Sequence, residues 1–216
     1  MGTRAIAILR PFAWPLIIAS LAALAFTVRI HEEMVDFDVY RRAAVRAVDA
    51  QELYRPDDGH YQFKYLPLFA FAMRPFAHMD LEMGRVVWFA MSVSLLVVFM
   101  RWTVRGLPER RLTEKALIWF AVIFVAKFYV RELNLGQSNI LLATILMGAL
   151  LAEQIDARTV AGVLVGVGVF VKPYAVILAP WLWLVGGLPA LAGFGITVLA
   201  GLLLPAIAYG WQGNLP

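Results

Sequence analysis

The sequence predicts an all-α integral membrane protein of about seven transmembrane helices, with a first outer loop of amphipathic and re-entrant helix. Three observations lead there. Of 216 residues, 62% are hydrophobic and 16% charged, with a mean hydropathy of +0.74. Soluble domains run at about 45–50% apolar and about 25% charged. Apolar stretches also recur at lengths approaching a bilayer crossing, which takes about 20 helical residues. Finally, four polar clusters interrupt the apolar chain: Val35-Asp36-Phe37-Asp38-Val39-Tyr40, Phe63-Lys64-Tyr65-Leu66-Pro67-Leu68, Gly136-Gln137-Ser138-Asn139 and Lys172-Pro173-Tyr174. Polar groups at membrane depth are costly and mark a site by default.

The first apolar stretch, residues 11–28, follows Arg4 and Arg10 and has Ala23-Leu24-Ala25 near its end, which imitates a signal peptide. Its length, and the spans that follow, predict an uncleaved first helix instead. Residues 29–85 form the one long polar segment. Within it Tyr40, Ala44, Ala47 and Val48 share a helical face while Arg41, Arg42 and Arg46 point elsewhere, a short amphipathic helix suited to the membrane surface. Asp36 or Asp38 stands where an N-cap belongs. Tyr54-Arg55-Pro56-Asp57-Asp58-Gly59-His60 is turn chemistry, and His60 is an ordinary loop histidine before it is a proton carrier. Residues 66–78 are about a dozen, flanked by Pro67 and Pro75 and carrying Arg74, which predicts a re-entrant or interfacial helix.

Further spans are expected at 85–100, 116–130, 140–151 with flanks, 159–171, 174–185 and 191–209. Several are short and need flanking residues or tilt. Gly162, Gly166 and Gly168 have the spacing of close helix packing. Lys127 and Arg131 close one span as interfacial anchors. No tandem repeat or low-complexity linker divides the chain, so residues 1–216 read as a single membrane domain.

With a cytoplasmic N-terminus and seven spans, Asp36, Gln137, Asn139 and Lys172 all reach the outer face. An eighth span at 66–78 would put Asp36 opposite the others. Residues 101–115 hold five basic residues, a cytoplasmic signature, whereas 29–85 hold eight interleaved with ten acids. A raw count of cations therefore argues against this orientation, which rests on those eight serving an anionic ligand.

Composition excludes other chemistries. The absence of cysteine removes disulfides, cysteine ligation and thiol catalysis. The net charge of +4 lacks any basic aromatic stripe, so nucleic acid is not an expected partner. Glu32, Glu33, Asp36 and Asp38 offer oxygens of the kind a divalent cation prefers. Their spacing matches no metal motif, and no cofactor or metal is expected.

In order and spacing, Asp36-Phe37-Asp38-Val39-Tyr40, Tyr65-Leu66-Pro67-Leu68, Gly136-Gln137-Ser138-Asn139 and Lys172-Pro173-Tyr174 resemble the family-87 glycosyltransferases. These are integral membrane enzymes of the C-type superfamily that include polyprenyl-phosphate-mannose-dependent mannosyltransferases. The resemblance covers residues 29 to about 211. It implies a polyprenyl-phosphate-linked sugar as donor, a lipid or glycan acceptor on the outer leaflet, inversion, and residence in the plasma membrane among its lipids. The family's essential aspartate beside the first span matches Asp36, implied as general base. A departing lipid phosphate needs cationic stabilisation, for which Lys172, Arg42, Arg46 and Lys64 are the candidates. Gln137 and Asn139 offer amides to sugar or phosphate oxygens, and Tyr40 joins this substrate-binding set.

Plainer roles stand beside these. Gln137-Ser138-Asn139 would cap the span that follows, and Lys172-Pro173 would end a helix with a snorkelling lysine. The family commonly has a second proline where Leu66 stands, and members commonly run to about twice this length. The chain thus corresponds to an N-terminal core, with a C-terminal half as an expected partner. A transporter or lipid flippase, or a non-catalytic scaffold, would also use intramembrane polar groups. A transporter commonly adds paired repeats, which are not found here.

Overall fold

A computed structural model describes residues 20–213 except 108 and 110, and every regular element among them is helical. The first half of the expected first span, residues 11–19, lies outside the described residues. Its end is α1 (residues 20–33), which widens into a π-helical turn at Phe26–Ile30 and closes with His31–Glu33. Met34 leaves helical geometry, and α2 (Val35–Val48) sets off in a new direction.

The amphipathic pattern of α2 is satisfied by protein. Phe37, Tyr40, Ala43, Ala44 and Ala47 are buried beneath the two short helices α3 (Pro67–Ala72) and α4 (Arg74–Ala77). Its apolar face therefore does not lie free on a membrane surface. Segment 66–78 breaks at Met73 into these two helices, neither long enough to cross a bilayer. A 3-10 turn, Pro56–Tyr61, carries the connecting loop over the top.

Asp80 then caps α5 (Leu81–Arg105) by accepting a hydrogen bond from the Met83 amide at 2.9 Å. Thr113 caps α6 (Glu114–Leu135) in the same way. Gly136 ends α6 with φ 65, the left-handed conformation that glycine adopts without penalty. The chain bends there by 118° into α7 (Asn139–Gln154). The Trp88 indole of α5 donates to the Gly136 carbonyl at 2.9 Å and pins this corner. A Cβ on Gly136 would lie 2.9 Å from the Phe37 Cβ, so α2 is wedged against the same corner.

The helix α8 (Arg158–Val171) packs between α7 and α9 (Ala179–Gly213). Its glycines admit close approach, as their spacing predicts: Gly162 faces the Ala190 carbonyl, Gly166 faces Thr197 and Gly168 faces Leu142. A 3-10 turn, Pro173–Leu178, leads into α9. Within α9, Gly187 takes φ 62. Ahead of it Ala175 lies against Gly168 and Gly186 against Glu153; beyond it Gly193 lies against Thr159, Thr197 against Gly166 and Gly201 against Phe170. The first arm thus runs back along α8 and the second runs forward beside it, so the helical run reverses at Gly187.

The expectation of seven spans is met only in part. By length and composition alone, two stretches among the described residues are long and apolar enough to cross a membrane, Leu81–Arg105 and Pro173–Ile207, the second of which folds back at Gly187, or three if the bent pair α6–α7 counts as one. The reason is length. Helices α7 and α8 have 16 and 14 residues, rising about 24 and about 21 Å against a hydrocarbon core of about 30 Å.

Candidate active site

The helix α2 decides the geometry of the site. Asp36, Val39 and Tyr40 lie at i, i+3 and i+4, hence on one face. They line a cleft of ≈ 240 Å³ together with His60, Tyr61, Gln62, Lys64, Tyr65, Lys172 and Pro173. Three of the four polar clusters therefore contribute to one cavity.

The two aspartates of α2 behave differently, although both occupy its first turn. They are two positions apart, about 200° around a helix of 3.6 residues per turn. Asp38 is gripped by Arg85 of α5 through two bonds, Nε to Oδ1 at 3.2 Å and a terminal nitrogen to Oδ2 at 2.8 Å. Asp36 makes no hydrogen bond or ion pair with any described residue. Neither caps the helix, because the N-cap position is Met34.

Lys172 follows the last residue of α8, where the negative end of the helix dipole favours a cation. It ends α8 as its Lys-Pro sequence suggests, and its side chain turns to the cleft. The ammonium sits over the Tyr65 ring, 5.0 Å from its centroid, and forms no ion pair with a described residue. Tyr65 in turn shares a 2.7 Å hydrogen bond with the hydroxyl of Tyr40. Burial, reinforced by Tyr65, pushes the Tyr40 phenol well above its usual range, so it stays protonated. The Ser138 hydroxyl is buried and has no hydrogen-bond partner among the described residues.

The fourth cluster is not among the residues that line the cleft. Asn139 donates through Nδ2 to Gln137 at 2.7 Å and to Glu132 at 2.8 Å. Ser138 occupies the N-cap position of α7, yet no side chain there makes a capping bond. Glu132 is the residue that sequence reading passes over. Its Oε2 is buried without a hydrogen-bond partner, and the charges of Lys172 and Asp36 both reach it. A carboxylate in the last turn of an apolar helix, against the dipole, is the signal that could have found it.

The remaining candidates separate. Lys64 lines the cleft and is exposed. Arg42 faces a second cavity of ≈ 410 Å³ with Val35, Asp38, Arg41, Tyr61 and Leu81, on another face of α2. Arg46 forks onto Asp58 at 2.5 and 2.8 Å and so fastens the loop to α2. That bond holds the Asp58 carboxyl below its usual range. A third, apolar groove of ≈ 450 Å³ runs between α1 and α5, lined by residues such as Phe26, Val86, Phe89 and Val93. Among the described residues, no group of three or more acids or histidines is placed to hold a metal ion.

A membrane protein whose described residues are all helical in their regular elements, and bring a carboxylate with no described partner and two lysines into one cleft, is suited to transfer chemistry on an anionic substrate. The sequence model of glycosyltransferase family 87 matches residues 63–214, and the chain belongs to that family. The matched stretch contains Lys64, Tyr65, Gln137, Asn139 and Lys172, while α2 with Asp36 and Tyr40 precedes it. No curated protein and no solved structure matches the chain.

Proposed function

We propose that this glycosyltransferase moves a sugar, mannose on family precedent, from a polyprenyl-phosphate donor to a lipid or glycan acceptor, with inversion. The reaction face is extracytoplasmic, in a multi-pass protein of the plasma membrane. Asp36 accepts the proton of the acceptor hydroxyl as its oxygen attacks the anomeric carbon. The bond from that carbon to the phosphate oxygen breaks, and the polyprenyl phosphate departs with the electron pair. Lys172 and Lys64 stabilise the charge left on the phosphate. Gln137 and Asn139, with Glu132 behind them, hold sugar hydroxyls through their amides. The groove between α1 and α5 suits a hydrocarbon chain.

One observation carries this reading. Asp36 is without a partner among the described residues in the cleft that holds two lysines, while Asp38, two residues on, is consumed by Arg85. A base must be unencumbered to reach its proton. The convergence of three polar clusters on that cleft also favours the threading that places them on one side of the membrane.

The test is transfer of labelled sugar from a polyprenyl-phosphate donor in membranes containing this chain alone. Removing a general base costs about 10²–10⁴-fold, so Asp36→Asn is expected to lose activity by that factor at equal folded protein. Undiminished transfer by Asp36→Asn would overturn the role of Asp36. No transfer by folded wild type would overturn the view that these residues suffice.

A further inference from the structure

We infer that Tyr65 is the positioning residue for Lys172, its ring face holding the ammonium over the cleft without neutralising it. The inference rests on Lys172 being the cation for the donor phosphate. A lysine at a phosphate site presents two opposing demands. Its four-carbon stem is flexible and loses about 2 kcal/mol of rotamer entropy when fixed. The usual way to fix it is a carboxylate, but a carboxylate also cancels the charge and competes with the phosphate. An aromatic face attracts a cation through its quadrupole and carries no net charge.

Lys172 has the second arrangement. Its backbone is anchored on both sides, the amide donating to Gly168 at 2.9 Å and the carbonyl accepting from Ala175 at 3.0 Å. Only the side chain remains to be placed. No described carboxylate lies within ion-pair reach of it, and Glu132 acts on it only through space. The ammonium instead stands 5.0 Å from the Tyr65 centroid.

The ring beneath it is itself immobilised. Phe69 stacks with Tyr65 at 4.8 Å and an interplanar angle of 26°. The Tyr65 hydroxyl bonds to Tyr40 at 2.7 Å, and the Tyr54 hydroxyl donates to the Tyr65 carbonyl at 2.8 Å. Pro67 then starts α3 two residues later, which fixes the chain direction. Tyr65 is thus a rigid support, and both it and Lys172 line the cleft that contains Asp36.

The experiment measures the affinity of farnesyl phosphate, a short prenyl monophosphate, for the purified chain in lipid nanodiscs. Position 65 carries phenylalanine or its mono-, di- and trifluorinated analogues, which weaken the ring quadrupole with little change of shape. Lys172→Met is measured beside them. Tyr65→Phe is expected to bind within about two-fold of wild type, and affinity is expected to fall stepwise with fluorination to about ten-fold. That corresponds to about 1.4 kcal/mol, within the range for such contacts. In the Lys172→Met background the same series is expected to be flat. A flat series with Lys172 intact would overturn the role of Tyr65 while leaving Lys172 as the phosphate cation. Unchanged affinity in Lys172→Met would overturn both.

Discussion

Replacing Asp38 with asparagine is expected to destabilise the protein, whereas the same change at Asp36 leaves stability almost untouched. The Arg85–Asp38 bridge is largely shielded, with side chains 12% and 29% exposed. It comprises two charge-assisted bonds, at 3.2 and 2.8 Å. Asparagine keeps one acceptor but turns an amide NH₂ towards the guanidinium, so one bond and the ionic component of both are lost. Hydrogen bonds to charged groups contribute about 1.5–3 kcal/mol. Glu82 stays 3.0 Å from Arg85 and still compensates its charge, so the cost belongs at the lower end, about 1.5–2 kcal/mol. Asp36 has no partner among the described residues to lose, and such substitutions fall within about 0.5 kcal/mol. Equilibrium unfolding in mixed micelles, followed by tryptophan fluorescence, measures both. Trp88 packs beside α2 and reports on that contact. Equal destabilisation by the two variants would refute the reasoning, and so would a loss above about 1 kcal/mol for Asp36→Asn. In either case Asp36 would be as structurally committed as Asp38.

Two further expectations concern the loop and the helix packing. The Asp58 carboxyl is held low by Arg46, so its contribution is present above the unfolded carboxylate pKa of about 4 and lost as pH falls through the lower folded value. Protection of the amides in residues 51–61, taken relative to their intrinsic exchange rates, should be constant between pH 7 and 5 and fall only at acid pH, a break absent in Asp58→Asn. In α8, Gly162→Ala would drive its Cβ into the Ala190 carbonyl, whereas Gly195→Ala in α9 meets open space. Unfolding should register a loss of about 2 kcal/mol or more for the first, from overpacking, and no loss for the second.

The sequence made much of this legible, and its failures have physical causes. The polar clusters stood out because apolar surroundings penalise them, and Tyr65, Lys64 and Lys172 do meet around one cleft. That 66–78 is no span was signalled by Pro67 and Pro75, although its break at Met73 was not, and the close packing of α8 was signalled by Gly162 and Gly166. What local pattern could not supply was partnership. Arg46 looked as available as Lys64, and only the fold of the 3-10 turn, twelve residues on, brings Asp58 to it. Asp36 and Asp38 were both plausible caps, and neither caps because Met34 takes that position. Span counting is met only in part, because hydropathy is an incomplete guide. It measures apolarity along the chain but not helix length against bilayer thickness, nor the 118° corner at Gly136.

The helix α2 joins these threads through its periodicity. Asp36 and Tyr40 face the cleft, Val35, Asp38 and Arg42 face the second cavity, and Phe37, Ala44 and Ala47 are buried. Every face is thus assigned, and the assignments are interdependent. The Asp38–Arg85 bridge fixes the rotation of α2 about its axis, and the Phe37 contact at Gly136 fixes its depth. A rotation of one residue, about 100°, would carry Asp36 out of the cleft altogether. The carboxylate proposed for chemistry can remain unpaired because its neighbour two residues on performs the pairing. This division of labour explains why an acidic motif of the form Asp-x-Asp occurs here: one acid orients the helix, and the other is left available by that orientation.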